Sequence, residues 1–228
     1  MEKNAKTVTI FGGSGFVGRH VVRALAKSGY RIIVAVRRPD LAFHLQPLGD
    51  LGQIKAIQAN VRVRWSIERA VNGADIVINL VGTFDKGGRN NFQAVQAFGA
   101  RAIAETTRAE GAKLIHVSAI GSDPQSPAAY GKSKADGEAA VLETIRSAII
   151  FRPSIVFGPE DDFFNRFAAM AKLSPFLPLI GGGHTRFQPV YVGDVAKAIT
   201  NKAKYSAGPN NRAIFTFCMG TNYLADFT

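Results

Sequence analysis

The sequence predicts a doubly wound α/β domain, and three observations predict it. Short β-branched runs alternate with segments of helical apolar spacing as far as residue 152. One run, Ala74–Val81, is almost wholly apolar, as a parallel strand covered on both faces should be. A glycine-rich turn joins the first run to the first helical segment, the entry to a βαβ unit.

The elements follow in order. Thr7–Phe11 is a strand that stops at Gly12-Gly13. Val17, Val21, Val22, Leu25 and Ala26 recur at helical steps and predict a helix ending near Gly29. Arg31–Val36 is the second strand, closed by Arg37-Arg38-Pro39, and Ile54–Ala59 the third. Ser66–Asn72 is a short helix with Gly73 beyond its end, and Ala74–Val81 is the fourth strand. Phe92–Glu110 is a long helix stopped at Gly111. Lys113–Val117 is the fifth strand, Ala129–Arg146 a helix by composition, and Ala148–Arg152 the sixth strand.

After Pro153 the alternation weakens. Asp161–Leu173 is expected to be a helix whose N-terminal acids, Glu160, Asp161 and Asp162, cap it. Residues 174–183 are expected to be a loop, Phe187–Val192 a strand, and Asp194 the cap of a helix to Lys202. Phe163, Phe164 and Phe167 form an apolar stripe expected to pack on the neighbouring lobe. Trp65 is read as a core or subunit contact, and His116 as a satisfied core histidine.

Composition bounds the function. Hydrophobic residues make up 46% and charged residues 20%, which excludes wholesale disorder and a coiled-coil rod. The single Cys218 excludes an intramolecular disulfide and a Cys-rich metal site, and the four His are scattered, so no metal is expected. Against 17 acids stand 28 Lys and Arg, a net charge of +11 that calls for anionic partners. No basic run resembles a nucleic-acid tail, so the anions expected are cofactor phosphates and an acidic protein or membrane face. No stretch is long and apolar enough to span a bilayer, and the early first strand leads us to expect no targeting peptide.

The turn Gly12-Gly13-Ser14-Gly15-Phe16-Val17-Gly18 carries the first chemistry. Gly12 permits a tight turn, Gly15 lets backbone approach a pyrophosphate, and Gly18 allows close packing. The helix N-terminus that follows offers amide donors to phosphate. NAD-specific sites place an acid at the end of the second strand. This chain has Arg37 and Arg38 there, and a guanidinium suits a phosphate. NADP(H) is therefore favoured over NAD(H), with Arg37 the first candidate. Asn60 and Val61 are expected near the adenine, and Val81 and Gly82 leave room for the cofactor beyond the fourth strand.

Tyr130 and Lys134 stand four residues apart, on one helix face. An ammonium beside a phenol favours the phenolate and lowers its pKa. Such a Tyr can exchange a proton with a carbonyl or hydroxyl oxygen while hydride moves. Ser118, twelve residues upstream of Tyr130, is placed to hydrogen-bond the same oxygen.

The glycine turn, the Tyr130/Lys134 pair and Arg152–Gly158 together resemble the short-chain dehydrogenase/reductase superfamily, of the extended or atypical kind. The resemblance implies that Pro153, Ser154, Ile155 and Val156 line the nicotinamide end. Phe11–Gly18, His116–Ala119, Arg152–Phe164 and Gln188–Asp194 are similar to one subgroup, over roughly residues 6 to 200. That subgroup holds the NADPH-binding accessory subunit of the alpha subcomplex of respiratory complex I and its bacterial epimerase/dehydratase-like relatives. It implies a structural NADPH outside the electron path and a place in the cytoplasm or mitochondrial matrix, peripheral at the inner membrane. The competing expectations are an active NADP(H)-dependent oxidoreductase, epimerase or dehydratase, and a sensor of the cofactor's redox state.

Three departures from the superfamily pattern stand out. Phe11 replaces a common Thr, Gln96 replaces an Asn that supports a proton relay, and residues 213–228 match no expected segment. The expected architecture is thus a Rossmann-type doubly wound parallel sheet over residues 1–157 and a small, truncated C-terminal lobe over residues 158–228.

Overall fold

The structure, a computed structural model, describes residues 5–83, 92–173, 184, 186–204, 213–217 and 224–226. Strands β1 (Thr7–Phe11), β2 (Arg31–Val36), β3 (Ile54–Gln58), β4 (Ile76–Asn79), β5 (Lys113–Val117) and β6 (Ile149–Pro153) alternate with helices. These are α1 (Phe16–Lys27), α2 (Arg64–Val71), α3 (Gly99–Glu110) and α4 (Ala129–Thr144). Further on come β7 (Val156–Phe157), α5 (Phe164–Leu173), β8 (Val190–Tyr191), α6 (Val192–Lys204), β9 (Ala213–Phe217) and β10 (Leu224–Asp226). The main sheet has the order β10-β9-β6-β5-β4-β1-β2-β3, parallel except for β10. Strand order reverses between β1 and β4, the switch point at whose carboxyl edge doubly wound sheets bind ligands.

Period-two alternation sends side chains to two cores. Ile10, Ile78, Ile115 and Ile149 pack with α1 and α6 on one face. Phe11, Val77, Leu114 and Ile150 pack with α2, α3 and α4 on the other. Each fully buried Ile or Val stabilises by about 1.5–3 kcal/mol relative to exposure, so these strand interiors dominate the fold's stability.

Several elements differ from the sequence's forecast. Pro39–Leu48 forms 3-10 turns that no apolar period announces, with Pro47 inside. Gln93–Phe98 is a π-helical lead-in to α3. β4 ends at Asn79 because the Asn79 Oδ1 accepts the Val81 N–H at 3.0 Å. The segment Ala213–Phe217, unassigned by pattern, extends the sheet as a strand parallel to β6.

The capping expectations divide. Asp161 caps α5, its Oδ1 accepting from the Phe164 N–H at 2.6 Å. Glu160 does not; it reaches His20 at 3.0 Å and Arg19 at 3.9 Å on α1. Asp194 lies inside the first turn of α6 rather than before it, 3.7 Å from Lys197. The Phe163, Phe164 and Phe167 rings pack on one another and on Phe157 and Phe187, while α5 itself buries no residue. Trp65 is exposed, with the Arg69 guanidinium 5.4 Å above its ring. The loop expected at 174–183 lies outside the described residues.

α4 buries polar groups where a helix on a sheet normally buries apolar ones: Ser133, Lys134 and Glu138. Glu138 is held by a fork from Arg152 on β6, at 2.9 and 2.5 Å. Removing the guanidinium strands a buried carboxylate. Arg152→Ala should destabilise the protein by about 3 kcal/mol in urea denaturation; an unchanged midpoint contradicts this view of α4.

Candidate functional site: a dinucleotide cradle beside a buried Tyr–Lys pair

A cavity of about 420 Å³ opens at the β1/β4 switch point. Its floor is the turn after β1. Gly12 has φ +80°, and a Cβ there would stand 3.2 Å from the Leu80 backbone. A Cβ on Gly18 would lie 2.3 Å from the Gly12 carbonyl oxygen, so α1 packs directly on the turn. Gly13 faces away from the cavity, its missing Cβ replaced by Val34 at 2.8 Å. Gly15 differs: a Cβ there meets only the Gly12 oxygen, at 3.4 Å. Protein packing thus demands glycine at 12, 13 and 18, whereas the open side at Gly15, which lines the cavity, suits backbone approach by a ligand. No side chain caps α1 and its first turn holds no acid, which leaves its amides for an anion. These residues fit a dinucleotide pyrophosphate.

Ser14, Arg37, Arg38, Asn60, Val61, Val81 and Gly82 line the same cavity. Arg38 is engaged, its Nη2 2.7 Å from Asp40 Oδ2, an ion pair that holds the Asp40 carboxyl low. Arg37 has no ion-pair partner among the described residues. The Asn60 Oδ1 accepts the Arg62 N–H at 3.1 Å, so the side chain is left with its amide donor for a base. Phe16 and Val17 do not line the cavity; Phe16 packs edge-on to His20, and Val17 joins the α1 core. Sequence reasoning missed Arg62, which lines the cavity. The signal for it was the position just past β3, two residues from Asn60.

The second group lies deeper. The Lys134 Nζ sits 5.9 Å from the Tyr130 ring centroid, and 3.4 Å from where a Cβ on Gly82 would be. The amine therefore borders the cavity through Gly82. Burial pushes the Lys134 amine down to about 8, opposed by the Glu138 charge. Burial also raises the Tyr130 phenol, so the lowering expected from the neighbouring ammonium is not what this environment produces. Ser118 is buried, its Oγ 2.8 Å from Ser122 Oγ. Pro153 ends β6, where its carbonyl accepts the Ile120 N–H. Ile155 accepts the Val190 N–H, Val156 opens β7, and Ser154 lies between, half-buried. None of Ser118, Tyr130, Lys134 or 153–156 lines the cavity itself.

Gln96 is a strut. Its Nε2 donates to the Thr83 carbonyl at 2.7 Å, and its Oε1 lies 2.7 Å from Ser133 Oγ on α4. Both ends of the amide are occupied.

With this geometry in place, comparison with known proteins decides the lineage. The description "NAD dependent epimerase/dehydratase family" matches residues 8–214. This chain belongs to the NAD-dependent epimerase/dehydratase family. Family membership supports binding of a pyridine nucleotide in the cradle. The chain is 39% identical over 199 residues to NADH dehydrogenase [ubiquinone] 1 alpha subcomplex subunit 9, mitochondrial, of Arabidopsis thaliana, covering 86% of this chain and 50% of that protein. It is 34% identical over 189 residues to a ceramide reductase of Caulobacter vibrioides, covering 83% and 58%. The chain thus spans about half the length of the curated relatives it matches. Among solved structures it resembles the Bordetella bronchiseptica enzyme WbmG in complex with NAD. The TM-score is 0.75 at 17% identity, over 98% of this chain and 76% of that one, a likeness of fold.

Lys134 makes stability depend on pH. The unfolded amine holds its proton up to about 10.5, the folded one only to about 8. Between those values folding releases a proton, so stability rises with pH; below 8 the buried charge exacts its full penalty. Lys134→Met should stabilise the ligand-free protein by about 2–3 kcal/mol near neutral pH, an advantage that fades through the alkaline window. Urea midpoints on both sides of the window check this; a gain independent of pH contradicts it.

Proposed function

We propose that this chain is an NADP(H)-binding member of its family in which the cofactor holds the structure together, as an accessory protein of the complex I type. The observation that carries the reading is the Lys134 amine. It is buried, it borders the cavity, and among the described residues it has no hydrogen-bond acceptor or ion-pair partner. A bound nucleotide brings hydroxyl and phosphate oxygens to that region, so binding relieves a destabilising feature of the empty fold. Mass action adds about 2.7 kcal/mol when ligand stands at 100 times its dissociation constant.

The preference for NADP(H) rests on Arg37, which lines the cavity at the end of β2 where an acid would serve NAD(H). Arg38 is the weaker candidate because Asp40 already holds its fork. The net charge of +11 supports docking on an acidic partner surface, either respiratory complex I or an anionic membrane face. Among the described residues no helix is long and apolar enough to cross a membrane, so attachment is peripheral in this reading. The compartment we propose is the cytoplasm or a mitochondrial-matrix-like space.

A second reading is favoured by one observation: Ser118 follows the carboxyl end of β5, and Tyr130 and Lys134 stand one turn apart on α4. A nicotinamide supplies hydride transfer when bound. Tyr130 would then pass a proton to or from the substrate oxygen, Lys134 would tune it, and Ser118 would orient that oxygen. The ceramide reductase relative is an enzyme by name and lends this reading weight.

Two outcomes test the proposal. Arg37→Ala should weaken NADPH binding by roughly tenfold or more, the worth of a charge-assisted hydrogen bond, while leaving NADH binding unchanged. Fluorescence titration with both nucleotides measures it, and equal losses for the two contradict the phosphate assignment. Tyr130→Phe should leave thermal protection by NADPH intact. Loss of the protein's cellular role in that variant favours the enzyme.

A further inference from the structure

A fully buried imidazole has one nitrogen satisfied and one orphaned. The His116 Nδ1 lies 3.1 Å from the Asn79 amide nitrogen, whereas the His116 Nε2 is buried with no hydrogen-bond partner. An unpaired buried N–H is destabilising, and an apolar side chain of similar shape avoids that cost. The sheet core alone gives no reason for histidine here.

The polarity of the chain of bonds supplies one. The Val81 backbone N–H can only donate, and the Asn79 Oδ1 accepts it at 3.0 Å. Asn79 therefore turns its NH₂ to His116, so Nδ1 must accept and Nε2 carries the proton. Burial, reinforced by the Lys134 charge, pushes the imidazole down to about 3, so it stays a neutral acceptor at any working pH. A Phe or Leu at this position leaves the Asn79 amide free to rotate and release Val81.

Val81 and Gly82 form a wall of the cofactor cavity, beyond the point where β4 stops pairing. The same segment is anchored from its other side, where Gln96 binds the Thr83 carbonyl. Neither His116 nor Gln96 lines the cavity.

We infer that His116 is a positioning residue for cofactor binding, acting through Asn79 to fix the Val81 backbone that walls the dinucleotide cradle, with Gln96 as the matching anchor on Thr83. The inference deepens the proposed cofactor site and rests on it for its meaning. The bond chain itself is present without cofactor. It explains why a stability cost is retained in the middle of the sheet: the side chain acts on the wall of a site that it does not touch.

The test uses His116→Phe, which keeps the shape and removes the acceptor, and His116→Gln, which restores an acceptor for Asn79. In the ligand-free protein, amide exchange at Val81 should quicken by at least about tenfold in His116→Phe, with the melting temperature held near wild type. NADPH and NADH titrations should both weaken by about tenfold in His116→Phe and return to within about threefold of wild type in His116→Gln. Unchanged Val81 exchange and affinity in His116→Phe overturn the inference. So does a parallel loss of melting temperature and affinity that Gln does not rescue, because that marks a merely structural histidine. If wild type binds neither nucleotide, the cofactor-site reading itself falls; if Val81 exchange is also unmoved, the bond chain falls separately.

Discussion

The rest of this structure depends on one constraint: α4 lies against the sheet with polar residues on its buried face. A helix in that place usually gains stability from an apolar stripe. Here Ser133, Lys134 and Glu138 share the buried face with Ala135, Ala140 and Val141. Each polar side chain must be answered by a specific group or be destabilising. Arg152 answers Glu138 from β6, and Gln96 answers Ser133 from the π-helical turn. Gly137 lets α4 close on that turn, since a Cβ there would stand 2.5 Å from the Gln96 carbonyl oxygen. Lys134 alone of the three is left unanswered, beside Gly82 of the cavity wall, and the proposed function follows from it.

The site has two halves built on different principles. The half we propose for phosphate is backbone and glycine, its shape set by sterics at Gly12 and Gly18. The chemical half is side chains held by burial and by struts. Segment 80–83 joins them, because it walls the cavity while being tied to β5 through Asn79 and to α4 through Gln96. In the function we propose, a cofactor seated in the first half bears on the second through this shared backbone segment. This arrangement suits a protein stabilised by its ligand as well as one that uses the ligand.

The strands, most helices and the glycine cradle were legible because their signals are local. A β-branched run, a turn requiring φ +80° at Gly12, and a four-residue helical spacing are each written within a few residues. What was not legible is tertiary. The 3-10 turns of Pro39–Leu48 and the strand Ala213–Phe217 take their form from neighbours, β9 from pairing with β6. Glu160 reads as a helix cap by position, yet His20 on α1 claims it. Tyr130 reads as a lowered phenol beside a cation, yet burial of both groups outweighs their proximity. Of the residues proposed for the cofactor, those just past β1, β2, β3 and β4 line the cavity, while Ser118, Tyr130, Lys134 and 153–156 do not. His116 was read as satisfied, and only the bond geometry shows its unpaired nitrogen.

The central claim is that the cofactor is a structural component rather than a turning-over reagent. The most direct measurement is the rate at which bound NADPH leaves the purified chain, followed by stopped-flow fluorescence against excess NADP⁺. The account predicts release over minutes or longer. Release in well under a second would contradict it and move the enzyme or sensor reading ahead.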